Sequence, residues 1–115
     1  MNNMSISALI AAAQEGAVDF QTTMQVIDAH YDFTPTHFSN GTTQNPAGTN
    51  NGSCKLFAFA LANELTPEAT LNLFGDFYYQ DVLQNPHGDD HQNIRNFMTH
   101  GFAGIEFSGQ ALRAK

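Results

Sequence analysis

Positive charge is scarce in this chain. Its 115 residues include only four Lys and Arg against eleven Asp and Glu, and the net charge is −7 at neutral pH. Binding to phosphate groups needs clustered cations, so this balance argues against nucleic acid and against an anionic membrane surface as partners. A basic protein or a cationic ligand suits the charge better.

Cysteine and tryptophan are also nearly absent, with one Cys and no Trp. A single Cys cannot form an intramolecular disulfide, so the chain does not require an oxidising compartment. The N-terminal segment has no basic region of the kind that begins a Sec signal, and no segment is long and apolar enough to span a bilayer. These absences predict a protein of the bacterial cytoplasm.

What is abundant is phenylalanine, with ten residues in a chain that is 42% hydrophobic. Length and composition predict one domain over residues 1–115, with a core built on Phe. Apolar spacing and capping residues predict a mainly α fold of five helices. These helices begin near residues 5, 19, 54, 67 and 90. At most a small two-stranded β element is expected, from residues 33–39 and 103–107, and residues 40–53 are expected to form a long polar loop.

The segment NNGSCKLFAFA, residues 51–61, raises the question of whether Cys54 is a nucleophile. A thiol at a helix N-terminus has a lowered pKa, and cysteine hydrolases and acyl transferases place their nucleophile in this way. His91 is the candidate base, with His87 as the weaker choice, and Asp90 is the candidate carboxylate. The alternative is a small buried side chain, because free Cys is among the most buried residue types.

Other polar residues are candidates for binding. Asn51 in the polar loop, Tyr31 and Arg95 are the candidate ligand-binding residues. Arg95 has a structural alternative, which is an ion pair with Asp76 or Asp81. The segment HGDDH, residues 87–91, contains metal-ligand types, but neither ligand count nor spacing matches a closed site, so no metal or cofactor is expected.

Five segments together carry a family resemblance: YDFTPTHFSNG, NNGSCKLFAFA, LFGDFYYQDVL, DHQNIRNFM and GIEFSG. They resemble the HopJ (HopPmaJ-like) type III effector family over nearly the whole chain. The resemblance implies delivery into a host cell by a type III system, in the context of virulence, but supplies no catalytic residues. The favoured function is a non-catalytic interaction module or small-ligand binder that engages a host or bacterial protein. The alternative is a small cysteine-dependent hydrolase or acyl transferase that uses Cys54 with His91. Oligomeric state is left open.

Overall fold

The computed structural model describes residues 4–115 of the chain. It has five α-helices, a short π-helix at Phe77–Val82 and a single 3-10 turn at Gly101–Gly104. The α-helices are α1 (Ile6–Glu15), α2 (Phe20–His30), α3 (Asn51–Ala62), α4 (Pro67–Asn72) and α5 (Gln92–His100). Within this part of the chain, no helix is both long and apolar enough to cross a membrane.

Two of the helix starts follow from side-chain capping. The Ser5 hydroxyl accepts a hydrogen bond from the Ala8 backbone N–H at the start of α1. At the start of α4, Thr66 caps in the same way and Pro67 occupies the first turn, where its missing N–H costs nothing. These helix starts are confirmed, whereas α3 begins at Asn51, three residues before the predicted start at Cys54.

The fold is less purely helical than predicted, because it contains two small antiparallel sheets. Its strands are β1 (Tyr31–Phe33), β2 (Phe38–Asn40), β3 (Thr43–Asn45), β4 (Ile105–Phe107) and β5 (Leu112–Ala114). β1 pairs with β5, and β2 lies between β3 and β4. The predicted pairing of the 33–39 and 103–107 segments is confirmed for β2 with β4.

The prediction of a structureless loop over residues 40–53 was wrong. β2 and β3 form a hairpin across Gly41 and Thr42, with Gly41 at a φ of 61°. A glycine at the first position of a two-residue hairpin loop is a hairpin signal, because glycine tolerates the positive φ that this position requires. The second half of the segment joins α3. As a result, only a short stretch around Pro46–Asn50 lies outside regular structure.

Helix α3 is the central element of the core. Phe57 is fully buried, and its ring packs against the rings of Phe38, Phe74 and Phe97. One helix thereby joins the three-stranded sheet, the end of α4 and the inner face of α5. Five residues of this helix are buried, so it is covered on most sides.

The segment after Pro67 does not form the single predicted helix. It breaks at Gly75, which has a φ of 60°, and continues as the 77–82 π-helix. A Cβ at Gly75 would lie 2.5 Å from the Val18 carbonyl oxygen, so this close approach to the start of α2 requires glycine. On α5, Met98 is 44% exposed and does not belong to the core.

Candidate functional site

Cys54 lies in the core. Its backbone N–H donates to the Asn50 carbonyl, and its sulfur donates to the Thr36 carbonyl at 3.5 Å. The residue is 1% exposed, and burial raises the pKa of its thiol, with the Thr36 hydrogen bond opposing the shift. The sequence predicted that Cys54 begins a helix, where the pKa of its thiol would be lowered, but α3 begins three residues earlier, at Asn51. The geometry therefore favours the neutral thiol, and the nucleophile assignment gains no support from it.

His91 is oriented by a carboxylate other than the predicted one. Its Nε2 lies 2.9 Å from Oδ2 of Asp81 and 3.9 Å from Oδ2 of Asp90. A carboxylate only accepts hydrogen bonds, so Nε2 carries the hydrogen that is donated to Asp81. Nδ1 has no hydrogen-bond partner within residues 4–115. The Phe77 ring packs against the imidazole, with the ring centroids 5.2 Å apart.

Asp90 pairs instead with Arg95. The guanidinium donates to the Asp90 side chain at 2.6 Å and to the backbone carbonyls of Asp90 and Asn85. The hydrogen bond from Arg95 is the main reason that the pKa of Asp90 is lowered. Arg95 therefore holds the loop before α5 in place. Arg95 does form an ion pair, but its partner is the half-exposed Asp90, so the predicted pair with Asp76 or Asp81 was wrong.

A cleft of about 450 Å³ opens beside His91. One wall is apolar and consists of Phe20, Phe74 and Phe77. The rest of the lining is mainly polar and comes from the starts of two helices. Asn50, Gly52 and Ser53 come from the start of α3 with its N-cap, and His91, Gln92 and Asn93 from the start of α5 with its N-cap.

The two helix starts share an unusual geometry. The N-cap residues, Asn50 and His91, have left-handed backbone conformations with φ values of 52° and 50°, and neither side chain caps its helix. The first N–H groups of a helix have no intrahelical acceptor, so these donors are left for other partners. Gly52 brings α3 against the apolar wall, since a Cβ there would lie 2.8 Å from Cζ of Phe20.

A buried network of asparagine side chains supports the polar wall. Asn93 Oδ1 accepts from Nδ2 of Asn40 and of Asn45, and Asn93 Nδ2 donates to Asn45 Oδ1. Asn50 Nδ2 also donates to Asn45 Oδ1, at 2.7 Å. The network ties β2 and β3 to both helix starts and fixes the shape of the cleft. Asn40 Oδ1 is the buried side-chain atom of the described residues that lacks a partner.

The predicted binding residues do not meet in this cleft. Asn51 is exposed on the first turn of α3. Tyr31 packs against Phe59, and its hydroxyl accepts a hydrogen bond from Asn63. Of the predicted site residues, only His91 lines the cleft, whereas Cys54, Asn51, Tyr31 and Arg95 do not. Asp90 lies 3.9 Å from Nε2 of His91 and is hydrogen-bonded to Arg95.

The residue that sequence reasoning missed at this site is Asp81. No local pattern links it to His91, because Asp81 lies on the π-helix and the path of that segment sets the approach of the two side chains. For metal binding, residues 4–115 contain no group of three or more His, Cys, Asp or Glu side chains that could hold an ion.

Comparison with known proteins decides the family. The sequence profile described as HopJ type III effector protein matches residues 6–112. The chain belongs to the HopJ type III effector family. A solved structure described as the crystal structure of the unknown-function protein VPA0580 is similar to it, with a TM-score of 0.88 and 55% identity. That match covers 96% of this HopJ chain and 90% of the other. A search of curated proteins gave no match.

Proposed function

We propose that this HopJ protein binds a small ligand in the cleft between the starts of α3 and α5. The observation that carries the proposal is the cleft itself. Its volume of about 450 Å³ lies within the range of small-molecule sites, and such sites combine apolar walls with a few fixed polar groups. Here three phenylalanines face two helix starts and an oriented imidazole.

The two walls indicate what the ligand looks like. A flat apolar part would pack against Phe20, Phe74 and Phe77. A polar part would meet the unused N–H donors of the helix starts and Nδ1 of His91. The amide network holds these groups in place before binding, which reduces the ordering cost of association.

A ligand panel with a constant apolar part tests the proposal. Phenylacetate, phenyl phosphate and benzyl alcohol share a phenyl ring and differ in the polar group. Titrated into labelled protein and followed by NMR, at least one should shift the backbone amides of Gly52, Ser53 and residues 92–94 together. Shifts spread over the surface, or confined to another face, would refute binding at the cleft.

A matched pair of variants separates the cleft from general surface apolarity. Phe77 and Leu83 are similarly exposed, at 38% and 41%, and lie at the two ends of the same segment. Only Phe77 lines the cleft. Phe77→Ala should weaken binding of the selected probe about tenfold, which corresponds to about 1.4 kcal/mol. Leu83→Ala should leave it unchanged, and equal effects of the two changes would contradict the proposal.

Family membership adds a proposal about location, which is delivery into a host cell through a type III system. A fusion of the full chain to a reporter that is active only in host cytosol would test this. The reporter signal should depend on an intact secretion apparatus. A signal that persists when the apparatus is inactivated would contradict type III delivery.

A further inference from the structure

A second group of reactive side chains lies on the outer face of the three-stranded sheet, away from the cleft. Gln44 in β3 and Glu106 in β4 lie opposite Ser39 of β2, so these three side chains share one face. His37 lies two residues before Ser39, and Ser108 lies two residues after Glu106. The Ser108 N–H donates to the His37 carbonyl, which extends the ladder to this pair.

The side chains of His37, Ser108 and Gln44 are joined by hydrogen bonds. Nδ1 of His37 lies 2.8 Å from Oγ of Ser108, and Nε2 lies 2.9 Å from Oε1 of Gln44. An amide oxygen can only accept, so Nε2 of the neutral ring carries the hydrogen. Nδ1 is then a bare acceptor, and the Ser108 hydroxyl is the group that donates to it.

This arrangement is that of an activated serine. A nucleophile within hydrogen-bond reach of a base, and a third group that orients the base, define such sites whatever the fold. We propose that Ser108 is a nucleophile that accepts an acyl group from activated esters, with His37 as the general base and Gln44 as the positioning residue. The inference concerns a different face from the cleft and does not depend on the proposed ligand binding.

The chemical step balances within the three residues and the ester. Oγ of Ser108 attacks the acyl carbonyl carbon and forms the new C–O bond, while its proton passes to Nδ1 of His37. The bond between the acyl carbon and the leaving oxygen breaks. His37 then returns the proton to the departing oxygen, and the acyl group stays on Ser108 as an ester.

An apolar groove lies next to Ser108 along the chain, although Ser108 itself does not line it. Phe107 and Gly109, the residues on either side of Ser108, line a groove of about 260 Å³. Leu61 and Leu112 also line this mainly apolar groove. Leu61 is 43% exposed, so the groove offers apolar surface that a short hydrocarbon chain would cover.

The test uses p-nitrophenyl butyrate with the full chain at mildly alkaline pH. Release of p-nitrophenolate measures the reaction, and peptide mass spectrometry locates the butyryl group. Ser39 is the internal control, because it lies on the same face but has no imidazole on its hydroxyl. Ser108 should be acylated at least about tenfold faster than Ser39, since a positioned general base contributes rate factors of this size or larger.

Variants identify the role of each residue. Ser108→Ala should abolish the adduct at this position, and His37→Ala should slow acylation of Ser108 at least about tenfold. Gln44→Ala should slow acylation of Ser108 by a smaller factor. Gln44→Glu should restore the rate, because a carboxylate oxygen can orient the His37 ring in the same way. A purely structural role for Gln44 would not give this rescue.

Three results would overturn the proposal. Butyryl groups distributed over Ser39 and lysines without preference for Ser108 would show that the serine is not activated. An unchanged rate at Ser108 in His37→Ala would show that the imidazole is not its base. A stable adduct on His37 in place of Ser108 would show that the ring is itself the nucleophile. Since all three side chains lie at the surface, thermal unfolding of each variant can establish that the fold is intact.

Discussion

Replacement of Asn93 by Ala tests whether the amide network holds the cleft together. Asn93 is 7% exposed, and its side chain makes hydrogen bonds of 3.1, 3.1 and 2.9 Å with Asn40 and Asn45. After the change, Asn40 Nδ2 keeps the Asn93 backbone carbonyl as an acceptor, and Asn45 Oδ1 keeps Asn50 as a donor. Asn45 Nδ2 loses its acceptor while it stays fully buried.

The expected loss of stability follows from the hydrogen bonds that Asn93→Ala removes. One buried donor without a partner costs about 1–3 kcal/mol, and the two weakened neighbours add a smaller amount. We expect Asn93→Ala to lower the free energy of unfolding by about 2–3 kcal/mol, measured by urea denaturation at constant slope. Amide exchange at Gly52 and Ser53 should also accelerate, because the network fixes the start of α3.

Asn96 provides the matched control. It lies one turn further along α5, and its side chain makes a single hydrogen bond, to the Thr43 hydroxyl at 2.7 Å. Asn96→Ala gains the same helix propensity as Asn93→Ala, so this contribution cancels in the comparison. Asn96→Ala should lower the free energy of unfolding by about 0.5–1.5 kcal/mol. If both variants lose equal stability, the network does not have the role assigned to it.

Three further predictions concern other parts of the molecule. Gly75→Ala should destabilise the fold by about 2–4 kcal/mol, because the new Cβ would combine a positive φ with a backbone clash. Gly16→Ala is the control: its Cβ would meet nothing within 4 Å, so stability should change by less than about 1 kcal/mol in the same denaturation assay. Alkylation of Cys54 by iodoacetamide should be at least about tenfold slower in the folded protein than in urea, since the thiol is buried and its pKa is raised; equal rates would contradict the buried assignment. The pKa of Asp90 is lowered in the fold by Arg95, so the stability it contributes is present above its ordinary value of 3.8 and is lost as the pH falls through the lowered pKa. The stability difference between the wild type and Asp90→Asn should therefore shrink on acidification below that value, and a difference that grows there would reverse the assigned sign.

Local signals account for most of what the sequence predicted correctly. Ser5 and Thr66 are capping residues with their partners three positions away, and Gly16 and Gly101 end helices, so these boundaries can be found within one turn of chain. The central role of the helix with Phe57 follows from its nearly continuous apolar sequence. Such features do not depend on where distant segments lie.

The strands were harder to predict because each is only three residues long. A run of this length contains a single alternation of apolar and polar positions, which gives no reliable period. The pairing of β1 with β5 joins segments that are far apart in the sequence, such as Phe33 and Leu112, and nothing in either segment identifies the other. Gly41 was an available hairpin signal, but it lay inside a polar stretch that was interpreted as a loop.

The candidate site was only partly predictable for a related reason. His91 stands out as a histidine before a helix, but its partner Asp81 reaches it through the π-helix that follows the break at Gly75. That break depends on the Val18 carbonyl, more than 50 residues earlier in the chain. The assignment of Cys54 as a nucleophile found no support, because α3 begins three residues earlier than predicted and the thiol lies in the core.

The strand β3 connects the two sites that we propose. Successive side chains of a strand point to opposite faces of the sheet, so Asn45 points inward while Gln44 points outward. Asn45 accepts from Asn50 and Asn93 beneath the cleft, and Gln44 accepts from His37 on the outer face. Two adjacent residues of one short strand thus position both the polar wall of the cleft and the imidazole beside the serine. A displacement of β3 would disturb both sites, whereas a change in the Gln44 side chain alone reaches only the outer one. The two functions can therefore be separated by mutation even though they depend on the same segment of backbone.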